Sequence, residues 1–70
     1  MNKIAVLIID DETGWLKQMT VFLNLEPDLL VVGTATNKQD GCRLAQALNP
    51  DIILLDLYLE GNDPDGLIAL

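Results

Sequence analysis

The run DIILLDLYL, Asp51 to Leu59, sets four bulky aliphatic residues in a row, Ile52, Ile53, Leu54 and Leu55, and follows them at once with a carboxylate, Asp56. An unbroken apolar run this short suits a parallel strand covered on both faces better than a half-exposed antiparallel one. Such a strand has no room for a charge in its middle. Asp56 therefore belongs at the carboxyl end, where the chain leaves the sheet and where open α/β sheets bind their ligands. An Asp that merely opens a turn would look the same in isolation, so the question is whether other residues converge on it.

The remaining segments supply the partners. Ile4 to Ile9 (IAVLII) is a second continuous apolar run, read as strand one, and it too ends in acid, at Asp10, Asp11 and Glu12. From Thr13 to Leu25 the residues Trp15, Leu16, Met19, Phe22 and Leu23, with Val21 beside them, recur at helical spacing, which predicts an amphipathic helix with Trp15 on its core stripe. Asp11 or Thr13 is placed to cap that helix, and Glu12 to complement its dipole. Pro27 and Asp28 end it. Leu29 to Ala35 (LLVVGTA) reads as strand two, and the interruption by Gly33 and Thr34 marks it as an edge. Asn37, with Asp40 three residues on, offers a cap for a second helix over Lys38 to Leu48. Its inner face is read as Cys42, Ala45 and Leu48, with Leu44 beside them, so Cys42 is expected to be a small buried residue. Asn49 and Pro50 stop the helix and deliver the chain into the strand of Ile52 to Leu55. Beyond Leu59, EGNDPDG is dense in turn formers, and Leu67 to Leu70 reads as the first turn of a third helix.

The pattern β-α-β-α-β with short connections implies an α/β fold with parallel strands joined by crossover helices, a doubly wound sheet. Strand two at the edge gives the order 2-1-3, and right-handed crossovers then put the two helices on opposite faces. Strands one and three become neighbours, about 4.8 Å apart, and Asp10 and Asp11 come alongside Asp56 at the topological switch point.

Three carboxylates held together raise one another's pKa unless a cation neutralises them. Oxygen-only donors, in a chain without histidine, select a hard ion, and Mg²⁺ fits best because it keeps several waters and bridges to phosphate. A carboxylate beside Mg²⁺ can attack a phosphoryl group in line and form an acyl phosphate. No phosphate-binding glycine loop is present, so the donor must bring its own activated phosphate. The net charge of −7 argues against binding of nucleic acid or an anionic membrane by this segment. A single cysteine provides no disulfide framework, and the apolar start is too short and too acidic for a signal peptide or a membrane span. A cytoplasmic location is the expectation.

IAVLIIDDE, VVGTATNKQDG, NPDIILLDLYL and the later Asp65-Gly66 together resemble the amino-terminal part of a receiver domain of two-component response regulators. The resemblance covers the whole chain and implies the flavodoxin-like fold. It implies that Asp56 is the phosphoacceptor, that Asp11 binds Mg²⁺ directly and Asp10 through water, and that the backbone carbonyl of Tyr58 is a further ligand. It implies a sensor histidine kinase, or a small acyl phosphate, as donor, and a signalling domain rather than a conventional enzyme, although a complete receiver catalyses its own phosphorylation and dephosphorylation. Many relatives carry an output domain that binds DNA and regulates transcription.

The chain departs from the family pattern in two ways. Leu59 and Glu60 stand where the family usually has Met-Pro, and the loop to Asp65-Gly66 is two residues longer. The family also implies five βα units, of which about half are here, so residues 1–70 are expected to be a partial receiver domain, truncated or incompletely ordered once the third helix begins. Strand three would then need a neighbour on its far side, which raises the alternative of a catalytically silent half-domain that acts by sheet-edge dimerisation or swapping, as a homodimer. A haloacid-dehalogenase-like phosphatase also uses a strand-end Asp, but it requires a second Asp two positions on, where this chain has Tyr58.

Overall fold

The computed structural model describes residues 3–55. Three parallel strands, β1 (Ile4–Ile9), β2 (Leu29–Ala35) and β3 (Ile52–Leu55), alternate with two helices, α1 (Thr13–Asn24) and α2 (Lys38–Leu48). The sheet order is β2-β1-β3, the expected arrangement with strand two at the edge. The start of the third helix and the segment from Asp56 onward lie outside the described residues.

β1 is the centre of the molecule. Leu7 and Ile8 are fully buried, and each belongs to a different half of the core, as strand alternation requires. On one face Leu7, Ile9 and Ala35 pack with Leu44 and Ala45 of α2 and with Ile53 and Leu55 of β3. On the other, Val6, Ile8 and Leu16 pack with Met19 and Leu23 of α1, and with Leu29, Val31 and Leu54. The helices thus cover opposite faces, as right-handed crossovers from a central strand dictate.

β2 contains a feature that its sequence does not announce. Val6 pairs with Val31, but Leu7 pairs with Gly33, so β2 carries one extra residue, a bulge at Val32. A one-residue offset exchanges the faces of all later side chains. Leu29 and Val31 accordingly pack on the α1 side, whereas Ala35 packs on the α2 side.

The helix ends follow from local chemistry. Asn37 caps α2, its Oδ1 accepting the Asp40 N–H at 2.8 Å, while its Nδ2 donates to the Asp40 carboxylate at 3.1 Å. Asp40 also meets Arg43 at 2.8 Å, an exposed pair contributing little. At the other end Asn49 sits in the left-handed region, φ 52° and ψ 54°, which asparagine tolerates better than most residues, and its N–H donates to the Ala45 carbonyl at 3.0 Å. α1 ends in a tightened turn, with the Leu25 N–H to Phe22 O at 3.3 Å and the Glu26 N–H to Leu23 O at 3.1 Å.

Three expectations are corrected. Cys42 is exposed, and the inner face of α2 is carried by Gly41, Leu44 and Ala45 in its place. On α1 the core stripe narrows to Leu16, Met19 and Leu23. Trp15, Val21 and Phe22 are 39%, 64% and 62% exposed, on flanks that the sheet does not reach. The cap position of α1 is Glu12, without a side-chain cap bond, rather than Asp11 or Thr13, and no acid lies in its first turn.

Candidate functional site

The carboxyl end of β1 places the first two candidate acids. Asp10 follows the buried Ile9 directly and is itself only 8% exposed. Its N–H donates to the Ala35 carbonyl at 3.0 Å, which ties it to the end of β2. Its Oδ1 accepts the Glu12 N–H at 2.9 Å. That short-range bond is an Asx turn: it turns the chain from strand into helix and holds the carboxylate in one orientation while satisfying a backbone donor. Asp11, next in the chain, is exposed.

On the other side of β1, β3 runs in register with Val6 against Ile52, Leu7 against Ile53, Ile8 against Leu54 and Ile9 against Leu55. The Ile9–Leu55 rung is the last described. In sequence, the residue after Ile9 is Asp10 and the residue after Leu55 is Asp56. Asp56 and Tyr58 themselves lie outside the described residues, as do Glu60 and the longer loop. Among the described residues no three His, Cys, Asp or Glu side chains gather closely enough to hold a metal ion.

At the opposite, amino end of the sheet an aspartate joins two strands. Asp51 accepts the Ala5 N–H through Oδ2 at 2.8 Å, and its own N–H donates to the Ala5 carbonyl at 2.8 Å. This reciprocal pair sets where β3 begins against β1, and so fixes the register that carries through to Ile9 and Leu55. Sequence reading missed this role; the signal was an Asp standing directly before an apolar strand.

The donor chemistry of the β1 acids suits a hard cation. A carboxylate this buried, held by a backbone N–H, beside a second carboxylate that faces solvent, provides oxygen ligands only, the set that favours Mg²⁺ over softer metals. Among the described residues, two shallow apolar grooves lie along the flanks of α1: one lined by Leu16, Lys17, Thr20, Val21 and Thr34, the other by Trp15, Gln18, Met19 and Phe22. Neither includes the acids.

Fold and site define the class as a doubly wound α/β domain with two carboxylates at the carboxyl end of its central strand, β1. The chain matches the response regulator receiver domain over residues 6–70, and it belongs to that family. It is 45% identical over 60 residues to the transcriptional regulatory protein LiaR of Bacillus subtilis, covering 86% of this chain and 28% of that protein. It is 41% identical over 66 residues to a protein-glutamate methylesterase/protein-glutamine glutaminase of Myxococcus xanthus, covering 94% of this chain and 19% of that one. With the nitrate/nitrite response regulator NarL of Escherichia coli K12 the identity is 41% over 57 residues, 81% of this chain and 26% of that one. The chain thus spans less than a third of the length of these relatives. Membership assigns it to the phosphoacceptor side of two-component signalling. No helix among the described residues is long and apolar enough to cross a membrane.

Proposed function

We propose that residues 1–70 form the amino-terminal part of a receiver domain in which Asp56 accepts a phosphoryl group from a sensor histidine kinase. Asp10, Asp11, Asp56 and the backbone carbonyl of Tyr58 would hold Mg²⁺. The observation that supports this most is the Ile9–Leu55 rung: two paired residues of adjacent parallel strands, each followed in sequence by an aspartate.

The reaction is an in-line displacement. A carboxylate oxygen of Asp56 attacks phosphorus, the P–N bond of the phosphohistidine breaks, and the histidine leaves with the electron pair. Mg²⁺, when bound, neutralises charge on the transferring oxygens. Asp10 contributes a carboxylate already oriented by the Glu12 N–H, so little reorganisation is needed on binding. The phosphoryl group then adds negative charge at the end of the central strands and biases the domain between two states read by an output segment. In the named regulators LiaR and NarL that output is regulatory, and we propose the same for the protein that carries this chain.

The test is labelling by a small acyl phosphate with and without Mg²⁺. Mg²⁺-dependent incorporation that disappears in Asp56→Asn is expected. Undiminished, acid-stable labelling of that variant would sink the proposal.

A further inference from the structure

Gly41 is the one buried residue of α2, and it lies against Ile9 at the end of β1. A Cβ at this position would overlap the Ile9 Cδ1 methyl and lie 3.0 Å from Cγ1 and 3.4 Å from Cγ2. Ile9 is 3% exposed and belongs to the buried cluster with Leu7 and Ala35, against which Leu44, Ala45, Ile53 and Leu55 pack, so a Cβ at Gly41 must be met either by a turn of the Ile9 Cδ1 methyl within that close-packed cluster or by a shift of α2 against β1. The residue after Ile9 is Asp10, whose N–H is bonded to the Ala35 carbonyl and whose carboxylate turns the chain into α1. Pressure on Ile9 therefore falls on the last residue of β1 before the acid pair.

We infer that Gly41 is a positioning residue for the acids: the close seat of α2 on Ile9 sets the end of β1, and through it the placement of Asp10 and Asp11 toward their cation. The inference rests on the Mg²⁺ reading given above. It makes α2 and the metal thermodynamically linked. If a helix shift weakens metal binding, metal binding must resist that shift to the same degree. Helix propensity alone points the other way, because alanine favours a helix interior over glycine. A loss of metal affinity in Gly41→Ala is therefore not explained by a weaker helix.

Two measurements test it, both read with Mg²⁺ alone. Titration followed by Trp15 emission should show Gly41→Ala binding Mg²⁺ at least about fivefold more weakly than the unchanged protein, the lower end of typical inter-site coupling. Adding Ile9→Val removes the Cδ1 methyl that the new Cβ would strike, and should restore the affinity of the Ile9→Val protein. Should Gly41→Ala fail to fold, hydrogen exchange in the unchanged protein decides: Mg²⁺ should slow exchange of the α2 amides from Gly41 to Ala45, and Asp10→Asn should remove that protection. Equal Mg²⁺ affinity in Gly41→Ala, no recovery in the double variant, or α2 amides indifferent to bound Mg²⁺ would overturn the inference while leaving the metal site standing. Unchanged protein that binds no Mg²⁺ would overturn both.

Discussion

The side-chain oxygen of Asn24, the last residue of α1, accepts the Val31 N–H on β2 at 3.0 Å. Two residues earlier the Leu29 N–H is taken by the Glu26 carbonyl at 3.2 Å. The first half of an edge strand therefore has its outward donors occupied by the chain itself, a known way of blunting a sheet edge against pairing with other chains. Asn24→Ala should destabilise the fold by about 1 kcal/mol, the net worth of an ordinary hydrogen bond. Urea unfolding would measure that loss. Light scattering of the same variant should show more self-association, and an unchanged particle size would mean that Asn24 has no part in guarding the edge.

α1 offers a contrast within one helix. Leu16 is 6% exposed in the core, and truncation to alanine should cost about 2–5 kcal/mol, the range for a buried leucine. Phe22, at 62% exposed, is the larger side chain but has far less to lose. Phe22→Ala should fall well short of Leu16→Ala in thermal unfolding. An equal loss would mean that Phe22 is covered in the folded protein.

Asn37, which caps α2, and Cys42, within the helix, carry opposite expectations. Asn37→Ala removes the only side-chain cap that the structure shows for this helix and should cost about 1 kcal/mol. Cys42→Ser, at an exposed position, should stay within about 0.5 kcal/mol of the unchanged protein. Calorimetry of the two variants checks both. The Cys42 thiol should also react with a water-soluble thiol reagent in the folded state, whereas slow reaction limited by unfolding would restore the buried reading.

Asp10→Asn keeps an oxygen to accept the Glu12 N–H while removing the charge and turning the other oxygen into a donor, so the turn into α1 should survive. Mg²⁺ affinity should fall by about tenfold or more, as when a metal site loses a supporting group. Trp15, the one tryptophan of these residues, lies in the first turn of α1 and reports the titration. Circular dichroism should be unchanged. If Asp11 is a ligand as proposed, Asp11→Asn should weaken binding as well, and its exposed position means that no packing is lost with it.

The strand order, the opposed helices and the nearness of β1 to β3 were all legible in the chain, because continuous apolar runs and short connections leave few topologies. Asp10 and Asp11 at the end of β1 were legible for the same reason. The inner face of α2 was not. Gly41 carries no hydrophobic weight, so the periodicity was phased on Cys42, although Gly41 is buried because Ile9 fills the space where a side chain would go. The width of the α1 stripe was misjudged because hydrophobicity does not say which flank the sheet will reach. The bulge was hidden for a third reason: LLVVGTA is apolar at nearly every position, and a strand that is apolar on both faces gives no alternation from which an extra residue could be noticed.

The bulge makes β2 a strand of two parities. Up to Val31 its odd-numbered residues serve α1, and from Gly33 onward they serve α2. Val32 is accordingly the joint between two halves that each keep a regular beat. A deletion at Val32 would leave Val31 on Val6 and bring Gly33 next in turn onto Leu7, the partner it already has. Every later residue of β2 would keep its helix, and the strand would lose its kink without losing its place: like a link taken out of a watch strap, the residue sets the fit and carries none of the pattern.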